Sequence, residues 1–285
     1  MKVSPSHPPS DGIQTKIIDN KTMKKSLLTM CAVYGTMIGT SSAVILASDD
    51  FTYADGPLAG NNGGTGWASA WEVRPLALVD TIVGGQAVVG GDNSLVFDQQ
   101  ATSYRNLATP VAAVGEVWMS VDLGFTSGGS DPNAFIGITF RSGDPADFGD
   151  PTDRGWRVGD DWDGVADGFT VEGGADGVAT QSGFPSSVVS KVVVLIDYNL
   201  GSTSMWIDPA NGPLGVPDAV DAGDAGTFDT FMIRTSGDGA TYREATFDNF
   251  VLATTQAEVH NVVPEPSSSA LLGLAGLVLI LRRRK

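Results

Sequence analysis

From residue 49 to residue 255 the chain is built of short stretches rich in β-branched and aromatic residues, separated by Gly, Asp, Ser and Thr. No long segment repeats apolar positions every 3.6 residues, so the pattern predicts strands and turns. Alternation is plain in Val117-Trp118-Met119-Ser120-Val121-Asp122-Leu123, where Val117, Met119, Val121 and Leu123 share one face, and in Phe135-Ile136-Gly137-Ile138-Thr139-Phe140. Lys191-Val192-Val193-Val194-Leu195-Ile196-Asp197 is apolar almost throughout, which predicts a central strand covered on both sides. Predicted strands lie at 86–89, 94–98, 117–125, 134–141, 155–158, 168–172, 187–198, 203–208, 228–235 and 241–253. Tyr198-Asn199-Leu200-Gly201-Ser202 and Ser236-Gly237-Asp238-Gly239 supply turn chemistry between them. Many short antiparallel strands at such spacing build a sandwich or a barrel, and the expectation is an all-β single-domain sandwich over 49–255.

The two ends are patterned differently. Lys24 and Lys25 precede an apolar stretch over 27–46, and small residues at Ser41, Ser42, Ala43, Ala47 and Ser48 offer cleavage sites near Asp49. This order reads as a signal peptide over 23–48, handed to the Sec export machinery, with 1–22 an extension ahead of a start at Met23. An uncleaved anchor is the competing reading. At the other end, twelve apolar or glycine residues over 270–281 precede Arg282-Arg283-Arg284-Lys285. As a helix over 268–281 this segment rises about 18–23 Å, against a hydrocarbon core of ~30 Å, so it crosses only with thinning of the bilayer or snorkelling of its flanks. The cationic cluster would hold the terminus in the cytoplasm and leave the rest outside. Residues 256–263 read as a linker.

Pro264, Glu265 and Pro266, the short apolar helix and the terminal Arg282, Arg283 and Arg284 together resemble the PEP-CTERM sorting signal, over residues 264–285. The resemblance implies a bacterial export that is recognised and cleaved near Pro-Glu-Pro by a membrane enzyme of the exosortase type. It further implies delivery to the cell surface or to an extracellular polysaccharide matrix. It identifies a route and a partner and no activity of the chain's own.

A second resemblance covers the body. Asp50-Phe51-Thr52-Tyr53 with Leu58, Gly66-Trp67 and Trp71, the strand Met205-Trp206-Ile207-Asp208-Pro209, and the closing Phe247-Asp248-Asn249-Phe250-Val251-Leu252-Ala253 are similar to jelly rolls of the concanavalin A or laminin-G type. In those folds the first and last segments pair, which would bring Phe51 near Phe247 and Phe250. The predicted architecture is thus a concanavalin A-like jelly-roll β-sandwich, flanked by an N-terminal signal helix and a C-terminal transmembrane helix.

Composition narrows the chemistry. Residues 49–263 hold 8 of the 17 Lys and Arg and 30 of the 33 Asp and Glu, a formal net charge of −22. Nucleic acid and anionic lipid are poor partners for such a surface, because binding them relies on clustered cations. Cations and neutral glycans remain. The single Cys31 lies in the leader, and the two histidines, His7 and His260, lie outside the predicted domain. Disulfides, thiol catalysis, a Ser-His-Asp triad and a His-rich zinc site are therefore excluded from it. Paired carboxylates for glycan hydrolysis survive on composition, though no spacing nominates a pair.

Two clusters stand out. Asp161, Asp163 and Asp167 sit in an Asp- and Gly-rich stretch where a calcium ion could find oxygen ligands, but the spacing fails the EF-hand pattern, and Asp-Gly is also ordinary turn sequence. Trp156 and Trp162 lie among those aspartates, as an indole that stacks on a sugar ring would; the competing role for any of the six tryptophans is core packing. The composition favours a non-catalytic exported surface or matrix protein, with a carbohydrate-binding module, calcium-assisted or not, as the alternative and a polysaccharide hydrolase or lyase behind it.

Overall fold

The computed structural model describes residues 43–73, 80–90, 102–125, 135–143, 156–160, 168–173, 180–223, 225–236 and 244–260. The longest stretches of alternating or apolar sequence become its longest strands: β7 (Glu116–Phe125), β8 (Phe135–Arg141), β12 (Ser190–Asp197), β15 (Phe228–Ser236) and β16 (Glu244–Ala253). Around them lie β1 (Ile45–Asp49), β2 (Gly56–Pro57), β3 (Glu72–Val73), β4 (Thr81–Val83), β5 (Gln86–Gly90), β6 (Thr102–Val111), β9 (Trp156–Asp160), β10 (Phe169–Glu172), β11 (Thr180–Gln181), β13 (Ser202–Ile207) and β14 (Ala219–Asp221). One short helix, α1 (Gln256–Val259), follows the last strand.

The strands form two sheets, and every pairing is antiparallel. In the nine-stranded sheet the order is β14-β13-β12-β7-β16-β5-β4-β2, with β1 also on β16; in the seven-stranded sheet it is β11-β10-β9-β8-β15-β6-β3. The predicted all-β sandwich is what the strand pairing builds. Its core is where the two inner faces meet: Val117, Met119, Val121 and Leu123 from β7 share one buried cluster with Ile138 and Phe140 from β8 and Phe231 and Ile233 from β15. Strand β12 lies between β7 and β13 and is covered on both sides, Val192 and Val194 facing this cluster and Val193 a smaller one on the outer face. The turn after it works as predicted, with Asp197 Oδ1 accepting from the amides of Asn199 at 2.9 Å and Leu200 at 3.1 Å while Gly201 takes φ 62°.

Two boundaries move outward from their predicted positions. Pairing of β1 with β16 aligns Asp49 with Phe250 and brings the sandwich back to Ile45, so residues 45–48, placed in the leader by sequence, are sheet. Phe51, Phe247 and Phe250 do share the core. At the far end, α1 lays Val259 (3% exposed) against Trp118, Trp206 and Val193, and the His260 ring contacts the carbonyl of Gly212 at 3.1 Å. The chain through His260 therefore packs on the sandwich, and residues 261–263 of the expected linker lie outside the described residues. Among the described residues no helix is long and apolar enough to cross a membrane. The predicted signal helix, the tail helix and the strand expected at 94–98 lie outside those residues.

Phe231 sits at the centre of the aromatic core, its ring 4.3 Å from Phe250, 5.6 Å from Trp67 and Phe140 and 5.8 Å from Trp71. Replacing it leaves a cavity that four rigid rings cannot close. Phe231→Ala should lower unfolding free energy by about 3–5 kcal/mol in urea titration, at unchanged far-ultraviolet dichroism.

Candidate functional site

Three polar features of the described residues bear on function. The first is a clasp between the sheets. Asp49 at the end of β1 and Arg105 in β6 are both fully buried and meet at 2.8 Å. Asp49 Oδ2 also accepts from Tyr53 Oη at 2.7 Å and Trp71 Nε1 at 2.9 Å, and Oδ1 from the amide of Phe51 at 3.0 Å. Arg105 donates further to the carbonyls of Ser69 and Gly63 and to Asn62 Oδ1, and its guanidinium lies over the Trp67 ring, 4.7 Å from the centroid. Burial pulls the Arg105 pKa down and the charge of Asp49 opposes that pull; burial and then the bond to Asp49 push the Tyr53 phenol up to about 12. Such a closed network, every member bonded, is a structural device rather than a reactive one.

The second is the outer face of the seven-stranded sheet. Because Ile138, Phe140, Trp156, Val158, Phe231 and Ile233 point into the core, alternation turns Thr139, Arg141, Arg157, Met232 and Arg234 away from it. Strand register lines up Glu172, Arg157, Thr139, Met232, Tyr104 and Glu72 across six strands. Arg157 is ion-paired with Glu172, and Tyr104 Oη donates to Glu72 Oε2 at 3.0 Å. In the next row Gly159 and Gly137 are neighbours, between Thr170 and Arg234. A Cβ on either would come within 2.3 Å of a carbonyl oxygen of the other strand, so both positions require glycine. Three of the eight cations of residues 49–263 thus share one sheet face, with Arg141, Arg157 and Arg234 all buried, while Tyr104 is half-exposed and Glu72 exposed.

The third is Asp80, just ahead of β4 and 1% exposed, with neither carboxyl oxygen in a hydrogen bond. Burial raises its pKa from 3.8 to about 7.

The residues singled out from sequence fare unequally. Trp156 is fully buried, its ring 5.1 Å from Phe140 and its Nε1 donating to Thr203 Oγ1 at 3.1 Å. It presents no face to a sugar, a correction that follows from its register in β9, where it alternates with Arg157 and faces inward with Val158. Trp162, Asp161, Asp163 and Asp167 lie outside the described residues, as do Pro264, Glu265, Pro266 and Arg282, Arg283 and Arg284. Among the described residues no group of three or more His, Cys, Asp or Glu is placed to hold a metal ion. Trp118 and Trp206 pack on the outer face of the nine-stranded sheet, stacked on each other at 6.0 Å under α1. Asp49, Asp80, Arg105 and the Glu172-to-Glu72 row escaped sequence reading; only the polar interruption of β6 at Ser103 and Arg105 hinted at them.

Residues 262–285 match the family described as the PEP-CTERM protein-sorting motif. The motif implies an exported protein, anchored in the membrane before sorting and processed by an exosortase-type enzyme. No curated protein matches the chain significantly. Solved structures similar to it include the T. cruzi calreticulin globular domain, at 11% identity and TM-score 0.43 over 85% of this chain and 100% of that one. Others are the binding domain of botulinum neurotoxin serotype C1, at 10% and 0.45 over 74% and 48%, and a legume lectin-like domain from Entamoeba histolytica, at 10% and 0.42 over 64% and 88%. The chain spans about half the length of the neurotoxin domain.

Asp80 yields a pH dependence. Its folded pKa lies above the unfolded value, so the folded state holds the proton more tightly. The contribution of Asp80 to stability is then greatest below pH ~4, falls as pH rises to about 7 by at most about 1.4 kcal/mol per pH unit, and is flat beyond. Asp80→Asn should raise the melting temperature at pH 8 and leave it unchanged at pH 4; an equal effect at both would show that Asp80 is not the titrating group.

Proposed function

We propose that the chain is a non-catalytic exported protein of the cell surface or extracellular matrix, delivered by a leader at its N-terminus and released from its membrane tail by exosortase-type processing. The observation that carries this is the sorting motif at 262–285. On this reading the tail helix holds the acidic sandwich, of jelly-roll, concanavalin A-like connectivity, outside the membrane until the Pro264-Glu265-Pro266 segment is cut. Composition supports the non-catalytic part: the one cysteine precedes the sandwich, and His260, whose ring is tied to Gly212, is the only histidine after residue 7. The strong negative charge keeps such a domain soluble and dispersed in a matrix. Mass spectrometry of material released by the producing bacterium should find a C-terminus within residues 264–269. Released protein still carrying Arg282-Arg283-Arg284 would contradict the processing step.

A second reading, binding of an extracellular polysaccharide by the sandwich, with or without calcium, is favoured by the β3 edge of the Glu172-to-Glu72 row. There Tyr104, partly exposed, donates to the exposed Glu72 carboxylate, with Asn106 also partly exposed on the same face of β6. An indifferent glycan needs such a pairing of ring and hydrogen-bonding groups more than it needs charge. Glycan-array binding by the full chain, weakened at least about tenfold by Tyr104→Ala, would establish it. Equal binding by the variant, in the presence and absence of chelator, would remove this site.

A further inference from the structure

Small residues at Ser41, Ser42, Ala43, Ala47 and Ser48 could each end an export leader, but β1 makes them unequal. This strand is held on both edges. On one it pairs with β16; on the other Ser48 exchanges backbone hydrogen bonds of 3.0 Å with Thr65. The approach is so close that a Cβ on Gly64 would lie 1.9 Å from the carbonyl oxygen of Ser48, and one on Gly66 1.9 Å from that of Leu46. Ala47 is itself fully buried.

A cut after Ala47 or Ser48 would remove most of the strand. It would also place a new ammonium group at or next to Asp49, which is 1% exposed and already neutralised by Arg105. After a cut at Ser48 that second cation would be buried and uncompensated, which is among the costliest changes a fold can suffer. A cut after Ala43 has neither consequence. Val44 is 46% exposed, its nitrogen donates to Thr254 Oγ1 at 3.1 Å, and its carbonyl accepts from the Thr254 amide at 3.0 Å. An ammonium at Val44 would face water and keep that bond.

Side-chain size agrees. With Ala43 before the cut, the residue two positions further back is Ser41; for Ala47 it is Ile45 and for Ser48 it is Leu46. Leader peptidases read small residues at both places.

We infer that the leader is removed by hydrolysis of the Ala43–Val44 peptide bond, water adding across it to leave a carboxylate on Ala43 and an ammonium on Val44. The inference rests on the reading of the N-terminal segment as an export leader. The mature N-terminus then lies beside Thr254, where the last strand hands the chain on toward its sorting tail.

The test is N-terminal sequencing of the exported protein after expression of the full chain in a bacterium with a general secretory pathway. Val44 is expected as the first residue. Ala43→Arg, at an exposed position outside the strand, should leave the leader attached and the protein membrane-bound, whereas Ser48→Val should still yield Val44. A folded, exported protein beginning at any residue other than Val44 would overturn the position while leaving export intact. A chain that keeps Lys24 and Lys25 and stays in the cytosol would overturn the export reading together with the cut.

Discussion

A carboxylate and a guanidinium, both sealed from water, face each other between the two sheets, and the arrangement of the domain follows from keeping them together. Asp49 arrives on the first strand and Arg105 on β6 of the opposite sheet, 56 positions along the chain. Taking either charge out of water alone would be strongly unfavourable, so each is stable only where the other stands. Around them Trp71, Tyr53, Asn62 and the carbonyls of Gly63 and Ser69 complete the bonding, and Trp67 closes over the guanidinium. The segment after β1 is consequently drawn across the end of the sandwich, with Gly64 and Gly66 in positive φ so that its backbone can lie against the strand.

This constraint connects folding to export. The first strand pairs with the last, so that Val44 and Thr254 meet across 210 positions of chain. Contacts of such range form late, because closing the loop costs entropy before any contact repays it. The start of the sandwich and the departure of its tail-bearing end are adjacent because of that pairing. The sorting motif governs where the protein goes, and the clasp governs where the folded part begins.

The regular part of this fold was legible because its strands obey a simple rule. Where one face is core and the other polar, as in β7 and β8, alternation shows the strand and its orientation together. Strand β6 broke the rule, since its inward positions include Ser103 and Arg105 and its end carries Pro110, so ten residues of sheet read as loop. Strand β1 was hidden for the opposite reason: Ile45, Leu46 and Ala47 extend the apolar run of the leader without a visible seam. Trp156 misled through its company. Nearby aspartates suggested a sugar-binding loop, while the period-two register with Val158, visible only once strand ends are known, turns the ring inward. The row from Glu172 to Glu72 depends on pairing between strands far apart in sequence, which no local pattern encodes, whereas the sorting motif is contiguous and could be read directly.

The most direct measurement is a double-mutant cycle on the clasp, following denaturant unfolding of Asp49→Ala, Arg105→Met and the pair. Removing one charge strands the other, so each single variant should lose about 3–5 kcal/mol, and the double variant should lose less than the two combined by at least about 2 kcal/mol. Losses that simply add, or single variants within about 1 kcal/mol of the parent, would show that the sandwich does not depend on this pair and would contradict the account.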